Sequence, residues 1–329
     1  MTAARTATAR AFPNIALVKY WGKRDEALML PAAGSLSLTL DAYATTTTVA
    51  FDDAPGSAAH DSFELNGVEQ SGDSLSRVTR FLDLVRERAG STAHARVVSQ
   101  NEAPTGAGLA SSASGFAALA TAASAAAGLP GDTPSLSRLA RRGSGSAARS
   151  VIDGIAVWHA GEGDGTSFAE PVDAPEMHMV IVTVDERQKA VSSRVAMRSS
   201  ALTSPFYEGW VRSTEASLAA MLEACRDRDF TRIGRITESH ALRMHAVIQS
   251  NDPPVRYLTP TSVAIFDAVV GLRERGIEAY STADAGPNIA VLVQPEDAAT
   301  VADALREYGR VRAVGPGRGA HLLPGAETA

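Results

Sequence analysis

Two periodicities of apolar residues succeed one another along the chain and predict strands and helices. Ser74–Ala89 repeats apolar residues at spacings of three and four, which indicates a helix with one buried face. The runs SLSLTLD at 35–41 and ATTTTVAFD at 44–52 alternate or are rich in β-branched residues, and FELNGV at 63–68 contains an Asn-Gly turn signal. These three runs predict antiparallel strands.

The second half of the chain alternates between helical and extended patterns. Helices are predicted at 130–142, 229–249, 261–276 and 297–308, with a strand at 277–282. The strands IAVWHAG and HMVIVTVD bracket a polar stretch that contains Pro and Gly, which indicates a boundary near Glu176. We therefore expect one domain at 1–175 and a second at 176–329.

The stretch from Ser99 to Gly115 predicts a strand, a glycine-rich loop and the beginning of an alanine-rich helix. Small residues in the loop let a ligand approach the backbone, and Ser111 and Ser112 place hydroxyl groups where free N–H groups begin the helix. Phosphate is the natural ligand of such a loop. The loop lacks the lysine of a Walker motif and the third glycine of the dinucleotide fingerprint. The alternative is a packing helix with a serine cap.

Three other clusters offer polar chemistry. Lys19 follows an apolar strand and lies in an aromatic and basic cluster, so it either meets an anion or extends its charge into solvent. The glycines and serines of 143–146 lead to Arg149 and suit a carboxylate or phosphate, although they also suit a flexible linker. Asp284 lies on a tight turn between two apolar strands, either as a restrained functional carboxylate or as a turn residue.

Composition narrows the classes of function. The chain has 329 residues, enough for two domains that share a cleft, and its net charge of −6 argues against a broad nucleic-acid-binding surface. Cys225 is the only cysteine, which excludes an internal disulfide and a cysteine-based metal cluster. No stretch has the apolar length of a membrane span. We expect a cytoplasmic protein with a small phosphorylated partner.

Taken together, the clusters resemble one family over nearly the whole chain. The matching stretches are NIALVKYWGKRD, SLSLTLD followed by TTTT, APTGAGLASSASG, RRGSGSAARS, SSRVAMRSSALTS, MHA and YSTADAGPN. Their order and spacing resemble the diphosphomevalonate decarboxylases of the GHMP kinase superfamily. Any one of these stretches alone is weak, whereas the ordered set is highly specific.

The resemblance implies an α+β, two-lobed GHMP kinase fold with a ribosomal-protein-like N-terminal lobe and a ferredoxin-like C-terminal lobe. The active site would lie in the cleft between the lobes. The resemblance also implies ATP as co-substrate, Mg²⁺ and a homodimer. The implied reaction phosphorylates the tertiary hydroxyl of mevalonate diphosphate and then releases phosphate and CO₂ to give isopentenyl diphosphate.

The same resemblance implies roles for individual residues. Asp284 would orient or deprotonate the hydroxyl, Lys19 would stabilise developing phosphate charge, and Arg149 would hold the substrate carboxylate. The positions matched around the diphosphate end of the substrate are Tyr20, Lys23, Arg77, Ser144, Ser146, Ser193 and Arg194. The positions matched around the ATP phosphates are Pro104, Gly106, Ala107, Gly108, Leu109, Ala110, Ser111 and Ser112, the last two of them near the metal.

Four departures from the family's pattern bear on the substrate. Ala32–Gly34 stands where the family commonly has a polar pair, and Ala196 and Gly106 replace a usual glycine and a usual alanine. Asp153 adds a carboxylate four positions after Arg149, where it could pair with the arginine or repel an anion. The changes at 32–34 and at Asp153 suggest an alternative substrate, one with fewer phosphates or a different alkyl portion.

Three further alternatives remain open at this point. The same chemistry could act on mevalonate monophosphate or a related 3-hydroxy acid. A kinase-only member would phosphorylate the hydroxyl and stop there. A silent ATP-binding module would bind nucleotide without forming ADP, although such a module would be expected to have lost one of the three catalytic positions.

Overall fold

The computed structural model describes residues 5–52, 60–102, 111–185, 187 and 190–324. The strands in these ranges are β1 (Arg5–Ala11), β2 (Asn14–Val18), β3 (Lys23–Asp25), β4 (Leu30–Pro31), β5 (Ser35–Thr39), β6 (Thr45–Asp52), β7 (Ser62–Leu65), β8 (Val68–Glu69), β9 (His94–Asn101), β10 (Ile155–Trp158), β11 (Ala169–Pro171), β12 (His178–Thr183), β13 (Ala279–Thr282), β14 (Ile289–Val293), β15 (Arg310–Val314) and β16 (His321–Leu322). The helices are α1 (Gly72–Ala89), α2 (Ser111–Ala126), α3 (Thr133–Gly143), α4 (Ser193–Thr203), α5 (Tyr207–Arg226), α6 (Phe230–Gln249), α7 (Pro260–Glu274) and α8 (Ala298–Ala304).

The first sheet has the strand order β16-β1-β6-β9-β7-β8, and only β7 and β9 run parallel among its paired strands. Successive residues of β6 point to opposite faces of the sheet, and Val49 and Phe51 lie on the face that α1 and α2 cover. The small side chains of α2 let this helix pack closely against β1 and β6, and most of its residues are buried. The sequence pattern did not predict β1, although polar residues and alanines alternate within it.

The second and third sheets are joined by a shared apolar core. The second sheet has the order β11-β10-β5-β2, and the third has the order β13-β14-β12-β15. One cluster of buried side chains includes Leu36 and Leu38 of β5, Met179 of β12, and Met221 and Ile233 of α5 and α6. The two halves of the chain are therefore packed against each other along a continuous apolar surface.

Most element types agree with the predicted ones, and the boundaries differ for local reasons. The helix expected at 229–249 begins at Phe230 because the Asp229 carboxylate caps it by accepting the Arg232 N–H at 2.9 Å. The helix expected at 297–308 is shorter, since α8 is flanked by 3₁₀ turns at 295–297 and 306–308. β5 and β6 do not pair with each other; the short connection between them carries the chain from the second sheet to the first.

The chain returns to the first half after β15. Gly315 donates its N–H to the Asp41 carboxylate at 3.0 Å, and Gly317 donates to the Thr39 carbonyl oxygen at 2.8 Å. A Cβ at Gly317 would overlap the carbonyl oxygen of Leu40, so only glycine fits this crossing. β16 then pairs with β1. The boundary near Glu176 stays a prediction, and residues 316–322 lie on the first half's sheets.

Asp153 does not contact Arg149, contrary to the expectation that these side chains could pair. The Asp153 side chain is exposed, and its carboxylate accepts the Gly319 N–H at 2.6 Å. The residue therefore fastens the returning segment to the turn after 150. No helix in the described ranges is both long enough and apolar enough to cross a membrane.

Candidate active site

The predicted site residues converge on one cleft of about 600 Å³. Those that the structure describes all line it: Lys19, Tyr20, Lys23, Arg77, Ser111, Ser112, Ser144, Ser146, Arg149, Ser193, Arg194 and Asp284. The remaining predicted positions, Pro104, Gly106, Ala107, Gly108, Leu109 and Ala110, lie outside the described residues. The cleft is formed by segments from both halves of the chain.

A buried ion pair lies at the centre of the cleft. Lys19 follows β2 and is 1% exposed, while Asp284 lies on the turn between β13 and β14 and is 29% exposed. The Lys19 ammonium donates to the Asp284 carboxylate at 2.6 Å. Burial lowers the pKa of Lys19, and the neighbouring Asp284 carboxylate opposes this shift. The pair therefore brings a partly exposed carboxylate and a desolvated cation together between the two halves.

Arg149 lies next to this pair and is 2% exposed. Its guanidinium donates to the side-chain oxygens of Asn14, Ser35 and Ser37, at 3.1 and 3.3 Å for Asn14 and 2.9 Å for Ser37. Within the described residues it forms no salt bridge, and burial lowers its pKa to about 10. The charge of Asp284 opposes this lowering, but among the described residues the hydrogen-bond acceptors of the guanidinium are all neutral. An arginine held in this way without a salt bridge is poised to bind an anion.

Three more cations cluster elsewhere in the cleft. Burial lowers the pKa of both Lys23 and Arg77, and the charge of Arg194 lowers both further. The guanidinium of Arg77 is fixed by the Gly143 carbonyl oxygen at 3.4 Å and by the Phe116 ring, whose centroid lies 5.1 Å away. Mutually repelling cations held together in this way favour a ligand with several negative charges.

Charge is strongly unbalanced among the residues that line the cleft. Of the described residues that line it, five are cationic and one, Asp284, is anionic, although the chain as a whole has a net charge of −6. The cations are Lys19, Lys23, Arg77, Arg149 and Arg194. This excess positive charge is local to the cleft and suits a polyanionic ligand.

The glycine and serine stretch before Arg149 is ordered structure and not a flexible linker. Residues 145–148 form a 3₁₀ turn, and the Ser144 hydroxyl lies 3.3 Å from the Ser112 hydroxyl at the start of α2. A Cβ at Gly145 would overlap the Tyr20 ring, whose buried hydroxyl has no hydrogen-bond partner among the described residues. The tight approach places the serines, the first turn of α2 and an unpartnered phenol along one wall.

A smaller apolar pocket of about 210 Å³ adjoins the cleft. The two share Arg77, Ser111 and Ser112, so one ligand could extend from the charged cleft into the apolar pocket. Its other walls come from β6, β7, β9, α1 and α2, and include Phe63, Leu65, Val78, Val97, Phe116 and Leu119.

The departures at 32–34 and 196 do not alter the cleft wall. Ala33 is buried, and a Cβ at Gly34 would overlap the Leu218 side chain. Ala196 is fully buried in an apolar cluster with Trp21 and Trp210. None of these positions is among the lining residues. Asp153 is not among them either, so the two changes that favoured another substrate both lie away from the cleft wall.

Sequence reasoning missed the residues that hold Arg149. Asn14, Ser35 and Ser37 are all buried, and they accept hydrogen bonds from its guanidinium. The alternation in SLSLTL was a usable signal, because it places the serines on one face and Leu36 and Leu38 on the other. Both faces of β5 are buried, one against the guanidinium and one in the shared core.

Comparison with family models decides the relationship. Residues 11–169 match the diphosphomevalonate decarboxylase-like N-terminal domain, and residues 179–315 match the mevalonate 5-diphosphate decarboxylase C-terminal domain. This chain belongs to the diphosphomevalonate decarboxylase family.

Individual relatives and structures agree with the family assignment. The diphosphomevalonate decarboxylase of Ganoderma lucidum is 36% identical over 92% of this chain and 82% of its own length, and that of Homo sapiens is 36% identical over 86% and 76%. A mevalonate diphosphate decarboxylase structure from Staphylococcus aureus has a TM-score of 0.93 and 39% identity, covering 97% of this chain and 98% of its own.

A further solved structure carries ligands. It is described as MDDEF in complex with MVAPP, AMPPCP and magnesium, and it has a TM-score of 0.93 and 44% identity, covering 99% of this chain and all of its own. These similarities confirm the predicted α+β, two-lobed GHMP kinase fold. They do not assign roles to individual residues of this chain, which stay predictions.

Two buried histidine rings of α6 lie close to the Lys19–Asp284 ion pair. His240 and His245 are fully or almost fully buried. Burial lowers the pKa of His240 to about 3, helped by the charges of Arg243 and Lys19. Burial lowers the pKa of His245 to about 4, helped by Lys19 and opposed by the Ala283 carbonyl and Asp284. Both rings are therefore neutral in the folded protein at neutral pH.

We expect these histidines to destabilise the fold in mild acid. Below about pH 6.5 each histidine binds a proton in the unfolded chain but stays neutral in the folded protein. Each ring therefore lowers the free energy of unfolding by about 1.4 kcal/mol for every unit by which the pH falls. Urea unfolding between pH 7.5 and 5 measures this slope, and His240→Asn should reduce it by one histidine's share. An unchanged slope in a folded His240→Asn variant would contradict the assignment of a neutral ring.

Proposed function

We propose that this protein is an ATP-dependent decarboxylase that converts mevalonate diphosphate to isopentenyl diphosphate and releases ADP, phosphate and CO₂. The observation that carries the proposal is the cleft itself, in which a buried Arg149 without a salt bridge among the described residues lies beside the Lys19–Asp284 pair. Membership of the diphosphomevalonate decarboxylase family supports the same substrate and reaction.

Asp284 is proposed to accept the proton of the substrate's tertiary hydroxyl as that oxygen attacks the γ-phosphorus of ATP. The carboxylate is restrained by its turn, in which the Gly286 N–H donates to the Asp284 carbonyl oxygen at 2.7 Å. Lys19 reaches the same carboxylate and is also placed to stabilise negative charge on the transferring phosphoryl group. Phosphorylation gives the tertiary carbon a leaving group.

Arg149 is proposed to hold the substrate carboxylate. When the tertiary C–O bond breaks, phosphate leaves with its electron pair; the C–C bond to the carboxylate then supplies the electrons of the new double bond, and CO₂ departs. Asn14, Ser35 and Ser37 fix the orientation of the guanidinium, which limits the carboxylate to one geometry. The arginine also balances the carboxylate charge until CO₂ is formed.

ATP is proposed to extend from the cleft into the adjoining apolar pocket. The ring of the adenine would occupy the pocket beside Phe116, and the phosphates would lie at Ser111 and Ser112, where α2 begins in the described residues. A helix N-terminus and hydroxyl groups suit phosphate oxygens. The ligands of the related structure, AMPPCP and magnesium, support ATP and Mg²⁺ as the co-substrate and metal.

The residues at this site fit Mg²⁺ that is bound largely through phosphate oxygens. No group of three or more His, Cys, Asp or Glu side chains in the described ranges could hold a metal ion. Ser111, Ser112 and Asp284 provide oxygen atoms on the cleft wall, and Mg²⁺ commonly takes few protein ligands beside substrate phosphates. When bound, the ion neutralises phosphate charge.

The cationic cluster favours a diphosphate over a monophosphate. Lys23, Arg77 and Arg194 are three cations beyond those at the reacting end, and Tyr20, Ser144, Ser146 and Ser193 add hydroxyl groups to the same cleft. A monophosphate would leave more of this mutual repulsion uncompensated.

We further propose that the protein works as a homodimer in the cytoplasm. We also propose that it binds no nucleic acid, in keeping with its overall negative charge.

The function is tested by measuring ADP and CO₂ together, with ATP and Mg²⁺, across mevalonate, its monophosphate and its diphosphate. The proposal predicts equal amounts of both products from the diphosphate and far less from the other two. Equal amounts from the monophosphate alone would overturn the substrate assignment. ADP without CO₂ would make the protein a kinase, and neither product would indicate a silent nucleotide-binding module.

We expect Arg149→Leu to lower the rate of CO₂ release by about 100-fold or more, because the substrate carboxylate loses its restrained partner. Single-turnover CO₂ release with saturating substrate measures the effect. The matched control is Arg212→Leu, which removes an exposed guanidinium on α5 and should leave the rate unchanged. Near-normal turnover in a folded Arg149→Leu variant would move the carboxylate contact to another residue.

A further inference from the structure

The backbone of Lys19 is held by a side chain that the proposed chemistry does not use. β2 ends at Val18, so the Lys19 N–H has left the strand pairing and needs another acceptor. It donates to Nδ1 of His240 at 3.0 Å, and both residues are buried. His240 lies on α6, in the opposite half of the chain from β2.

The hydrogen bonds around His240 determine which ring nitrogen carries the proton. The Thr214 hydroxyl donates to the Trp210 carbonyl oxygen at 2.8 Å, so its oxygen is left to accept from Nε2 of His240 at 3.2 Å. Nε2 therefore carries the hydrogen, and Nδ1 has a free lone pair for Lys19. The chain of bonds runs from Lys19 through His240 and Thr214 to the backbone of α5.

A second contact holds the same short segment. The Trp210 indole N–H donates to the Trp21 carbonyl oxygen at 2.8 Å, and the Trp210 ring lies 4.6 Å from the His240 ring. α5 and α6 thus fix the backbone on both sides of Tyr20. The Lys19 side chain leaves this fixed backbone and reaches Asp284, which belongs to the same half of the chain as the two helices.

We propose that His240 is the positioning residue of Lys19: its neutral imidazole sets the backbone from which the Lys19 ammonium reaches Asp284 and the transferring phosphoryl group. This inference rests on the proposed function for its kinetic consequence. The imidazole does not touch the reacting atoms. Its effect on the rate comes through the placement of Lys19, whose ammonium must lie within hydrogen-bond distance of its targets.

His240→Asn and His240→Leu form a matched pair of variants. The two side chains have the same branched shape, and only asparagine can present an acceptor near the position of Nδ1. We expect His240→Leu to lower single-turnover ADP release by about tenfold or more, with KM for both substrates within about threefold. We expect His240→Asn to stay within about threefold of the unsubstituted enzyme in both measurements.

Thr237→Val provides the control for general disturbance of α6. Thr237 is fully buried one turn before His240, and its hydroxyl has no hydrogen-bond partner in the part of the chain that the structure describes. This variant should keep the normal rate. Equal rates for the asparagine and leucine variants, or a loss confined to KM, would overturn the positioning role. Failure of the proposed function can be told apart from failure of the positioning role. If the proposed function were wrong, the unsubstituted enzyme would not release ADP and CO₂ together from mevalonate diphosphate.

The tautomer can be measured directly in the unsubstituted protein. Nitrogen NMR of the full-length protein labelled with ¹⁵N-histidine should show His240 with hydrogen on Nε2 and none on Nδ1 at neutral pH, and the His240 signals are identified by their loss in the asparagine variant. Hydrogen on Nδ1 would overturn the proposal, because that nitrogen could not then accept the Lys19 N–H.

Discussion

The contact on which the rest of the site depends is the ion pair between Lys19 and Asp284. It joins the end of β2 to the turn between β13 and β14, and the Lys19 side chain is 1% exposed. Desolvating a cation costs several kcal/mol unless nearby groups compensate it, and here the second buried cation, Arg149, adds repulsion. The surrounding structure must therefore hold the two cations near each other despite their mutual repulsion and the loss of solvent around them.

That restraint comes from packing and from neutral hydrogen bonds. The leucines of β5 pack in the core that both halves share, while Ser35 and Ser37 on its opposite face hold Arg149. A strand buried on both faces can fix a guanidinium without a salt bridge to a carboxylate. The charge of that guanidinium is consequently left for a ligand, which is how a chain with net charge −6 forms a cationic cleft.

Sequence reasoning identified the residues of the site more completely than their surroundings. The ordered motifs singled out Lys19, Arg149 and Asp284, and apolar periodicity located α1 and α6 to within two residues. It could not show that β5 and β6 enter different sheets, because strand pairing depends on contacts distant in sequence. Nor could sequence spacing reveal that Asp153 turns away from Arg149 toward Gly319, 166 residues later.

A double-mutant cycle on the central pair is the most direct test of this account. Unfolding free energies are measured for Lys19→Met, Asp284→Asn and the double variant, with ADP release recorded in parallel. The account predicts that all three are inactive and that the double variant is at least as stable as Asp284→Asn, with a coupling of about 1–3 kcal/mol, because removing Lys19 relieves an unpaired buried charge. Strictly additive losses of stability, or activity retained without the pair, would contradict it.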